Sequence, residues 1–282
     1  MTEKIVQKGY QLVWEDNFGR KESGCGAAAL QETCKSAGRA ETFKAEGLEN
    51  ERKSVNAQDW SLEVGERWAN NEQQAYTDSL DNVSVYGGQL HITAKKQTCG
   101  IRSYTSGRIT TAGKHSWQYG YFEIRAKLPK GHGSWPAIWM MPDSCKHGNP
   151  WPHCGEIDIM EHIGRRENSI WFSLHSERHN HTRKDTKQYT TIREYQDVCS
   201  EFHTYGMEWT DGAIEFFVDG ESACIYRKTD DAQDQTEAAW PYDQPFYLIL
   251  NIAVGGGLGG EIHEEDLPYE MVVDYVRVYQ KI

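Results

Sequence analysis

Three carboxylates stand within six positions of the sequence, in a segment that otherwise has the residues of a buried strand. Side chains alternate between the two faces of a regular strand, so Glu156 and Asp158 point one way and Glu161 the other. One extra residue, a β-bulge at Ile159-Met160, would bring all three acids to one face. Charged side chains are costly to bury, so three of them on one strand indicate a function. Cleavage of a glycosidic bond requires two carboxyl groups flanking the scissile bond between sugars.

The residues between the acids favour this chemistry over two alternatives, an exposed acidic edge strand and a cation site. Ile157, Ile159 and Met160 are apolar and predict a buried reverse face behind an acidic front. In a retaining glycosidase the two carboxyl groups lie about 5–5.5 Å apart; one attacks the anomeric carbon, and the other donates and later removes a proton. Asp158, between them, is expected to share a proton or hydrogen bond with the attacking group.

The strand with the acids belongs to a chain of short alternating runs bounded by Gly, Asn, Asp and Pro, which is typical of an all-β protein. The clearest expected strands are residues 90–94, 121–128, 214–218, 246–254 and 272–279. The sequence contains no internal repeat of fixed period and no low-complexity linker. Residues 1–282 are therefore predicted to form a single domain of two packed antiparallel sheets.

One segment, at about residues 21–57, departs from the strand pattern and is rich in Ala, Glu and Lys. Ala27, Leu30, Cys34 and Ala37 recur at helical spacing. We expect a helical or irregular insertion between two strands. It is either a surface decoration or a wall over one end of a binding cleft.

Composition limits the partners. The net charge of −12 and the absence of a Lys/Arg run argue against nucleic-acid binding, and no stretch is long and apolar enough to span a membrane. Residues 1–10 lack the apolar core of a signal peptide, so the chain either stays inside the cell or has lost a leader. The ten Trp either fill the core or stack on sugar rings. The seven Cys are an odd number, so at least one thiol is free unless a disulfide joins two chains. We expect a monomer.

Several motifs together resemble glycoside hydrolase family 16, and within it the bacterial laminarinases. The central motif is GEIDIME at 155–161, which is the bulged form of the family signature. A second motif, GSWPAIW at 133–139, supports it. Further matches are WANNEQQAYT at 68–77, YTSGR at 104–108, Glu208-Trp209, FYLILN at 246–251 and DYVRVY at 274–279. The resemblance covers nearly all of the chain outside residues 21–57.

The resemblance implies a β-jelly-roll sandwich that cleaves internal β-1,3 linkages of laminarin-type glucans with retention and needs no cofactor for catalysis. The expected partner is therefore a β-glucan polysaccharide or oligosaccharide. Rival substrates are mixed-linkage β-1,3-1,4-glucan and an agar- or porphyran-type galactan. A different class of function is a β-glucan-binding protein that does not cut, which the presence of all three acids disfavours.

The same resemblance assigns roles to the acids and to a nearby histidine. It implies that Glu156 is the nucleophile, Asp158 its helper and Glu161 the general acid/base. A proton donor must stay protonated near neutral pH, so the pKa of Glu161 has to be raised by burial or by the nucleophile's charge. His175 matches a histidine beside the acid/base; its alternative is a satisfied strand histidine.

For sugar binding the resemblance points to Asn70, Arg108, Trp135 and Trp139 on the non-reducing side of the scissile bond. Asn and Arg suit vicinal hydroxyls because they offer several donors in fixed geometry. Of the two tryptophans, Trp135 is the stronger candidate for stacking on a sugar. Glu72 is expected either to hydrogen-bond within the cleft or to brace its loop.

A structural Ca²⁺ is the one metal that the resemblance suggests. Asp274 on the last strand is expected to share a face with valines, a poor place for a lone carboxylate. Family members often hold calcium on the convex side, with one such Asp and backbone carbonyls, here from near Glu15 and the turn at Gly88. Oxygen ligands suit Ca²⁺. The alternative is a salt bridge from Asp274 to a neighbouring Arg or Lys.

Three other clusters are given less weight. Cys145, His147, His153 and Cys154 do not have the spacing of a zinc finger, which leaves a weak zinc site, a Cys145–Cys154 disulfide or free thiols. His175, His179 and His181 are interpreted as part of a solvated loop rather than a metal site. The glycine-rich run 255–260 lacks the phosphate-loop lysine and is expected to form a tight turn near the cleft.

Overall fold

The computed structural model describes residue 5 and residues 8–20, 51–232 and 235–281, and nearly all regular structure in this part of the chain is β-strand. Ten strands form one sheet: β1 (Tyr10–Asp16), β3 (Gln74–Tyr76), β4 (Val83–Tyr86), β5 (Gln89–Cys99), β6 (Arg102–Ser106), β8 (Gly120–Lys127), β13 (His203–Trp209), β14 (Ala213–Val218), β15 (Glu221–Arg227) and β17 (Tyr269–Lys281). Seven form the other: β2 (Ser61–Leu62), β7 (Arg108–Thr110), β9 (Ser134–Pro142), β10 (Glu156–His162), β11 (Ser169–His175), β12 (Tyr189–Glu194) and β16 (Phe246–Val254). Short helical turns are found at Asp143–Lys146, Lys228–Asp230, Glu264–Asp266 and in α1 (Gly256–Gly259).

The sheets are antiparallel except for the β3–β6 pair of the described strands. The larger sheet runs β15-β14-β13-β8-β17-β5-β6-β3, with β1 also pairing with β17 and β4 with β5. The smaller sheet runs β12-β11-β10-β9-β16-β7-β2. The acid-bearing strand β10 therefore lies inside this sheet, between β9 and β11, and is held in place on both edges.

A single large core lies between the two sheets. Phe122, Ile124 and Ala126 of β8 are fully buried, as the alternation of the sequence predicts. The same alternation holds in β5 and β14, and β16 is buried along its whole length. The predicted all-β fold of two packed sheets is thereby confirmed.

A β-bulge interrupts β10 at the predicted place. Asp158 pairs with Trp139 of β9 and Glu161 with Ala137, so β10 advances three residues while its neighbour advances two. The same offset occurs against β11. One extra residue in β10 restores the parity of the strand, and Glu161 joins Asp158 on the outer face.

The reverse face of β10 is apolar and buried, as predicted. Ile157, Ile159 and Met160 are all fully buried in the core that also contains Phe122. Burying one such side chain contributes about 1.5–3 kcal/mol. This burial offsets the cost of holding the acids on the opposite face, so β10 tolerates a charged front.

A second bulge, in β17, is absent from the sequence prediction. The partners of Val273 and Tyr275 on β8 are consecutive residues, so Asp274 is the extra residue between them. Val273 before the bulge and Val276 and Val278 after it belong to the core. The prediction that Asp274 shares a face with Val276 and Val278 is therefore wrong, because the bulge turns its side chain to the outer surface of the sheet.

The insertion predicted at residues 21–57 lies largely outside the described residues, which resume at residue 51. In its described end, Lys53 forms a β-bridge with Val85, and Val55 is buried in the core.

Among the described residues, no helix has the length and apolar character needed to cross a membrane.

Candidate active site

A cleft of about 350 Å³ opens on the outer face of the seven-stranded sheet, over the centre of β10. Glu156, Asp158 and Glu161 lie together in its wall, so the structure brings the three predicted acids into one site. The rest of the lining includes four tryptophans, an arginine, two asparagines, a glutamate and a histidine: Trp68, Trp135, Trp139, Trp151, Arg108, Asn70, Asn251, Glu72 and His181. Flat aromatic surfaces and multiple hydrogen-bonding groups are what a sugar chain requires.

Strand pairing fixes the position of His175. It lies opposite Glu156 across β10 and β11, and its Nε2 is 3.9 Å from Glu156 Oε1 and 3.3 Å from Asp158 Oδ2. The expectation placed this histidine beside Glu161. The structure sets it closest to Asp158 and also near enough to Glu161 to oppose the rise that burial gives to the pKa of that carboxyl.

Burial raises the pKa of all three acids. For Glu156 the effect of burial is reinforced by the charges of Asp158 and Glu161, and for Asp158 by that of Glu161. Burial also raises the pKa of Glu161, which His175 and a hydrogen bond from Trp135 partly oppose. Three carboxyl groups this close cannot all be ionised at neutral pH, so the site holds protons.

Glu156 and Asp158 are placed to share one proton. Burial raises the pKa of both carboxyl groups, and a hydrogen bond between them lets the pair hold one proton in common. The side chain of Asp158 is 3% exposed and that of Glu156 is 19% exposed, so Glu156 is the member of the pair that faces the cleft.

The two tryptophans of β9 are each oriented by a hydrogen bond. Trp135 Nε1 donates to Glu161 Oε1 at 3.0 Å, and Trp139 Nε1 donates to Asn251 Oδ1 at 2.7 Å. Both indoles remain partly exposed to the cleft. Trp135 therefore adjusts the acidity of Glu161 in addition to presenting a surface for sugar, a role that the sequence did not indicate.

Arg108 is clamped between aromatic rings at the cleft wall. Its guanidinium carbon lies 5.0 Å from the ring of Trp68 and 4.9 Å from that of Trp139, and it pairs with Glu63. Cation–π contacts with two rings hold the guanidinium in one orientation. The predicted sugar-binding residues Arg108 and Trp139 are thus one structural unit.

Glu72 is both a cleft residue and a brace, so both sequence interpretations hold. It is 7% exposed, and its Oε2 accepts hydrogen bonds from Gln74 Nε2 at 2.7 Å and Tyr76 OH at 3.3 Å. Asn251 Nδ2 donates to Tyr76 OH at 2.9 Å. A buried network therefore links Glu72 to the residue that orients Trp139.

Asn70 lies in the cleft in a left-handed backbone conformation, with φ +57°. Its carbonyl accepts a hydrogen bond from Gly257 N at 2.9 Å. Gly256, with φ +68°, approaches so closely that an added Cβ would lie 2.7 Å from the carbonyl oxygen of Asn70. The glycine-rich segment at 255–260 does turn beside the cleft, as expected, and includes the short helix α1.

Four aromatic or polar cleft residues escaped the sequence prediction of the site: Trp68, Trp151, Asn251 and His181. His175 and His179 are buried, so the interpretation of a solvated histidine loop is wrong for them. His181 is exposed in a turn, as that interpretation expects, and its ring lies 5.2 Å from that of Trp151 and 5.4 Å from that of His175. The signal for Trp68 and Asn251 was present, because each lies in a segment that resembled the family. Nothing local pointed to Trp151 or His181, which reach the site through loops.

The residues proposed to hold calcium do not fit a cation. Both carboxylate oxygens of Asp274 accept bonds from Arg20 Nη1 at 2.7 Å, and Oδ2 also accepts from Arg125 Nη1 at 2.7 Å. The backbone of Arg20 packs against Gly88, and Glu15 pairs with Arg277. Two guanidinium charges occupy the space beside the carboxylate, so the salt-bridge alternative describes this structure.

The cysteines near the active strand are free thiols. Cys145 and Cys154 are both unbridged, and His153 pairs with Glu177 at 3.0 Å. Burial, followed by the neighbouring Cys145 thiol, raises the pKa of Cys154. Neither the zinc site nor the disulfide is formed among the described residues, so the free-thiol alternative is the one observed.

A two-sheet jelly roll with clustered carboxylates and tryptophans in a cleft defines the chain as a glycoside hydrolase. The profile of the glycosyl hydrolases family 16 matches residues 70–277. The chain belongs to this family.

Similar proteins agree in fold and sequence. A "Beta-glucanase" from Rhodothermus marinus is 45% identical over 229 residues, which cover 78% of this chain and 79% of that protein. The laminarinase structure from Rhodothermus marinus has a TM-score of 0.81 and 36% identity, covering 97% of this chain and 98% of that one. The structure of SCLam, described as a non-specific endo-beta-1,3(4)-glucanase, has a TM-score of 0.79 and 34% identity, covering 97% and 92%.

Proposed function

We propose that this chain hydrolyses internal β-1,3-glucosidic bonds of laminarin-type glucans by a retaining double displacement. The observation that carries the proposal is the bulge in β10, which places Glu156, Asp158 and Glu161 in the wall of one tryptophan-lined cleft. The likeness to proteins named laminarinase and beta-glucanase supports the choice of substrate. The reaction needs no cofactor, because the two carboxyl groups supply both nucleophile and proton.

Binding comes first in this mechanism. Trp135 and Trp139 present flat surfaces to the sugar rings, while Asn70 and Arg108 offer hydrogen-bond donors to vicinal hydroxyls. The stacked guanidinium of Arg108 is fixed before substrate arrives, so little side-chain entropy is lost on binding. These contacts hold one anomeric carbon over Glu156.

In the first step, an oxygen of Glu156 attacks the anomeric carbon as the bond to the leaving glucosyl oxygen breaks. Glu161 donates its proton to that oxygen, which departs as a free hydroxyl. Asp158 retains the shared proton and donates a hydrogen bond to Glu156, which orients the nucleophile. The product is a covalent glycosyl ester of Glu156.

In the second step, Glu161, now ionised, removes a proton from water. The hydroxide oxygen attacks the anomeric carbon, the bond to Glu156 breaks, and Glu161 is protonated again. Two inversions give net retention. Trp135 assists this step because its hydrogen bond to Oε1 favours the ionised form of Glu161.

The experiment that tests the substrate compares laminarin, lichenan and agar side by side, with reducing ends and product sizes as readouts. We expect rapid release of short oligosaccharides from laminarin, far above the release by a Glu156→Gln control. Release only from agar would replace the β-glucanase proposal with a galactanase. No release from any of the three would leave glucan binding without cleavage, which would overturn the hydrolase mechanism.

Mixed-linkage β-1,3-1,4-glucan is the second candidate substrate. It is favoured by the likeness to SCLam, a non-specific endo-beta-1,3(4)-glucanase. Cleavage of lichenan at a rate comparable to laminarin would support this broader specificity. A laminarin rate at least tenfold higher would favour the narrower one.

The roles of the two glutamates are tested with an aryl β-glucoside oligomer whose leaving group needs no proton. Glu161→Ala should retain the first step on this substrate, and added azide should restore turnover and give a β-glycosyl azide. Glu156→Ala should give the α-azide, because the small anion then attacks the opposite face. Exchanged azide products would reverse the assignment.

We also propose that residues 1–282 act as one catalytic domain and as a monomer. The core shared by the two sheets supports the single domain. Light scattering during size-exclusion chromatography should give a mass near 32.3 kDa. A dimer mass would contradict the monomer.

A further inference from the structure

Two clusters of His, Asp and Glu among the described residues bring ligand atoms within 4.8 Å of one another. One of them, Glu156, Asp158 and His175, is part of the catalytic site. The other consists of His132, His263 and Asp266 and lies outside the cleft. We call it the His132 cluster, and no step of the proposed mechanism uses it.

The His132 cluster joins two loops that are distant in sequence. His132 precedes β9, while His263 precedes and Asp266 ends the short helical turn Glu264–Asp266 before β17. The two imidazole rings are stacked, with centroids 4.1 Å apart and planes 8° from parallel. His132 Nδ1 lies 3.5 Å from Asp266 Oδ2, so three potential ligands converge from both loops.

The backbone beneath the cluster is held rigidly. Asp266 Oδ2 accepts a hydrogen bond from His132 N at 2.8 Å, and His263 N donates to His132 O at 3.3 Å. Tyr269 OH donates to the same carbonyl. Glu264 anchors the helical turn by accepting from Lys96 and from Tyr104 OH. The loops and the Asp266 carboxylate are therefore preorganised, while the two imidazoles are partly exposed to solvent.

We propose that the His132 cluster binds a divalent transition-metal ion of the Zn²⁺ type, with His132, His263 and Asp266 as ligands. Two imidazoles and a carboxylate are a ligand set that zinc accepts, and a water molecule completes four-coordination. Imidazole nitrogen favours Zn²⁺, Co²⁺ or Ni²⁺ over Ca²⁺ and Mg²⁺, which prefer oxygen ligands.

The movement needed to form the site is small. Ligand atoms in a tetrahedral zinc site are separated by about 3.3 Å, given metal–nitrogen distances of about 2.0–2.1 Å. The three ligand atoms lie within 4.8 Å of one another, so rotations of partly exposed side chains suffice. Glu261 and Glu265 lie 4.0 and 3.9 Å from the nitrogens of His263 and add negative charge that attracts a cation.

A bound ion would tie together loops that support the cleft. Gly133, next to His132, accepts a hydrogen bond from Gly255 N at 2.7 Å and packs against Ile262. Trp135 follows two residues later on β9. Metal binding is therefore expected to stabilise the fold, because it bridges the loop before β9 to the turn before β17.

The test uses CoCl₂ and ZnCl₂ with the metal-free full chain. Co²⁺ should give the visible absorption of a nitrogen- and oxygen-ligated ion at one site outside the catalytic cluster, and excess Zn²⁺ should raise the Tm and displace the cobalt. To separate the catalytic cluster, the titration is repeated in a Glu156→Gln background, which should keep the signal. Failure of laminarin hydrolysis would not affect this result, since binding is measured without substrate.

Variants locate the site. His132→Ala and His263→Ala should each weaken Co²⁺ binding at least tenfold, and the double variant should abolish both the absorption and the Zn²⁺-dependent rise in Tm. His147→Ala, an alteration of a histidine outside the cluster, should leave both unchanged. The proposal would be overturned if the double variant bound Co²⁺ as well as the unaltered chain does. It would also be overturned if no saturable binding occurred below 1 mM, which corresponds to about 4 kcal/mol of binding free energy. Circular dichroism of each variant verifies folding.

Discussion

Deletion of Ile159 tests whether the bulge in β10 acts through strand parity. Asp158 and Glu161 are separated by three steps on β10 but by two on each neighbouring strand. Removing one residue makes the ladder regular on both sides and leaves Met160 opposite Ile138. The three acids should therefore stay on the cleft face, and the shortened strand should still be active.

The cost of the deletion follows from burial. Ile159 is fully buried in the core, and the loss of a large buried aliphatic side chain costs about 2–5 kcal/mol. A loss of about 3 kcal/mol lowers the Tm by about 6–12 °C in a domain of this size. This is less than the 5–15 kcal/mol by which domains are usually stable, so the protein should remain folded at 25 °C.

The assay combines thermal unfolding with the release of reducing ends from laminarin at 25 °C. The deletion variant should retain at least ten times the activity of Glu161→Gln. A matched control deletes Ile159 and Met160 together, which leaves Glu161 one step from Asp158 and so turns Glu161 toward the core; it should cost several kcal/mol and nearly all activity. A folded deletion variant as inactive as Glu161→Gln would refute the parity argument.

Three further predictions follow from single contacts. Trp135→Phe removes a hydrogen bond that lowers the pKa of Glu161, so the pKa of Glu161 should rise. The alkaline limb of the kcat/KM profile should then move to higher pH. An unmoved limb would contradict the assignment of Glu161 as the acid. CaCl₂ added to the metal-free protein should leave the Tm unchanged, because Asp274 is paired with arginines. Arg20→Ala, with Arg20 half exposed, should cost about 1 kcal/mol in an unfolding titration. A rise in Tm with Ca²⁺ would restore the calcium hypothesis. Gly256→Ala places a side chain on a residue with left-handed backbone conformation and against the carbonyl oxygen of Asn70. It should therefore lower the Tm and raise the KM for laminarin several-fold. An unchanged KM would mean that this turn does not position the cleft residues.

Two strands, β10 and β17, show how far sequence patterns predict where a β-bulge lies and which face a carboxylate occupies. In β10 the two strand faces differ so strongly in polarity that the need for a bulge before Glu161 is evident from residue types alone. In β17 the lone carboxylate among valines is a weaker signal, because a cation site or a salt bridge on a regular strand accounts for it as well as a bulge does. Its partners, Arg20 and Arg125, are 254 and 149 positions away in sequence.

The sequence by itself determined the all-β fold, the identity of the three acids and the family, because alternation and motif spacing are local properties. The tertiary structure alone decided which side chains surround the acids. It brought Trp151 and His181 to the cleft by loops, stacked Arg108 between Trp68 and Trp139, and set His175 nearest to Asp158. These contacts depend on strand register and on pairings between distant segments, and neither is encoded in the pattern of any one segment.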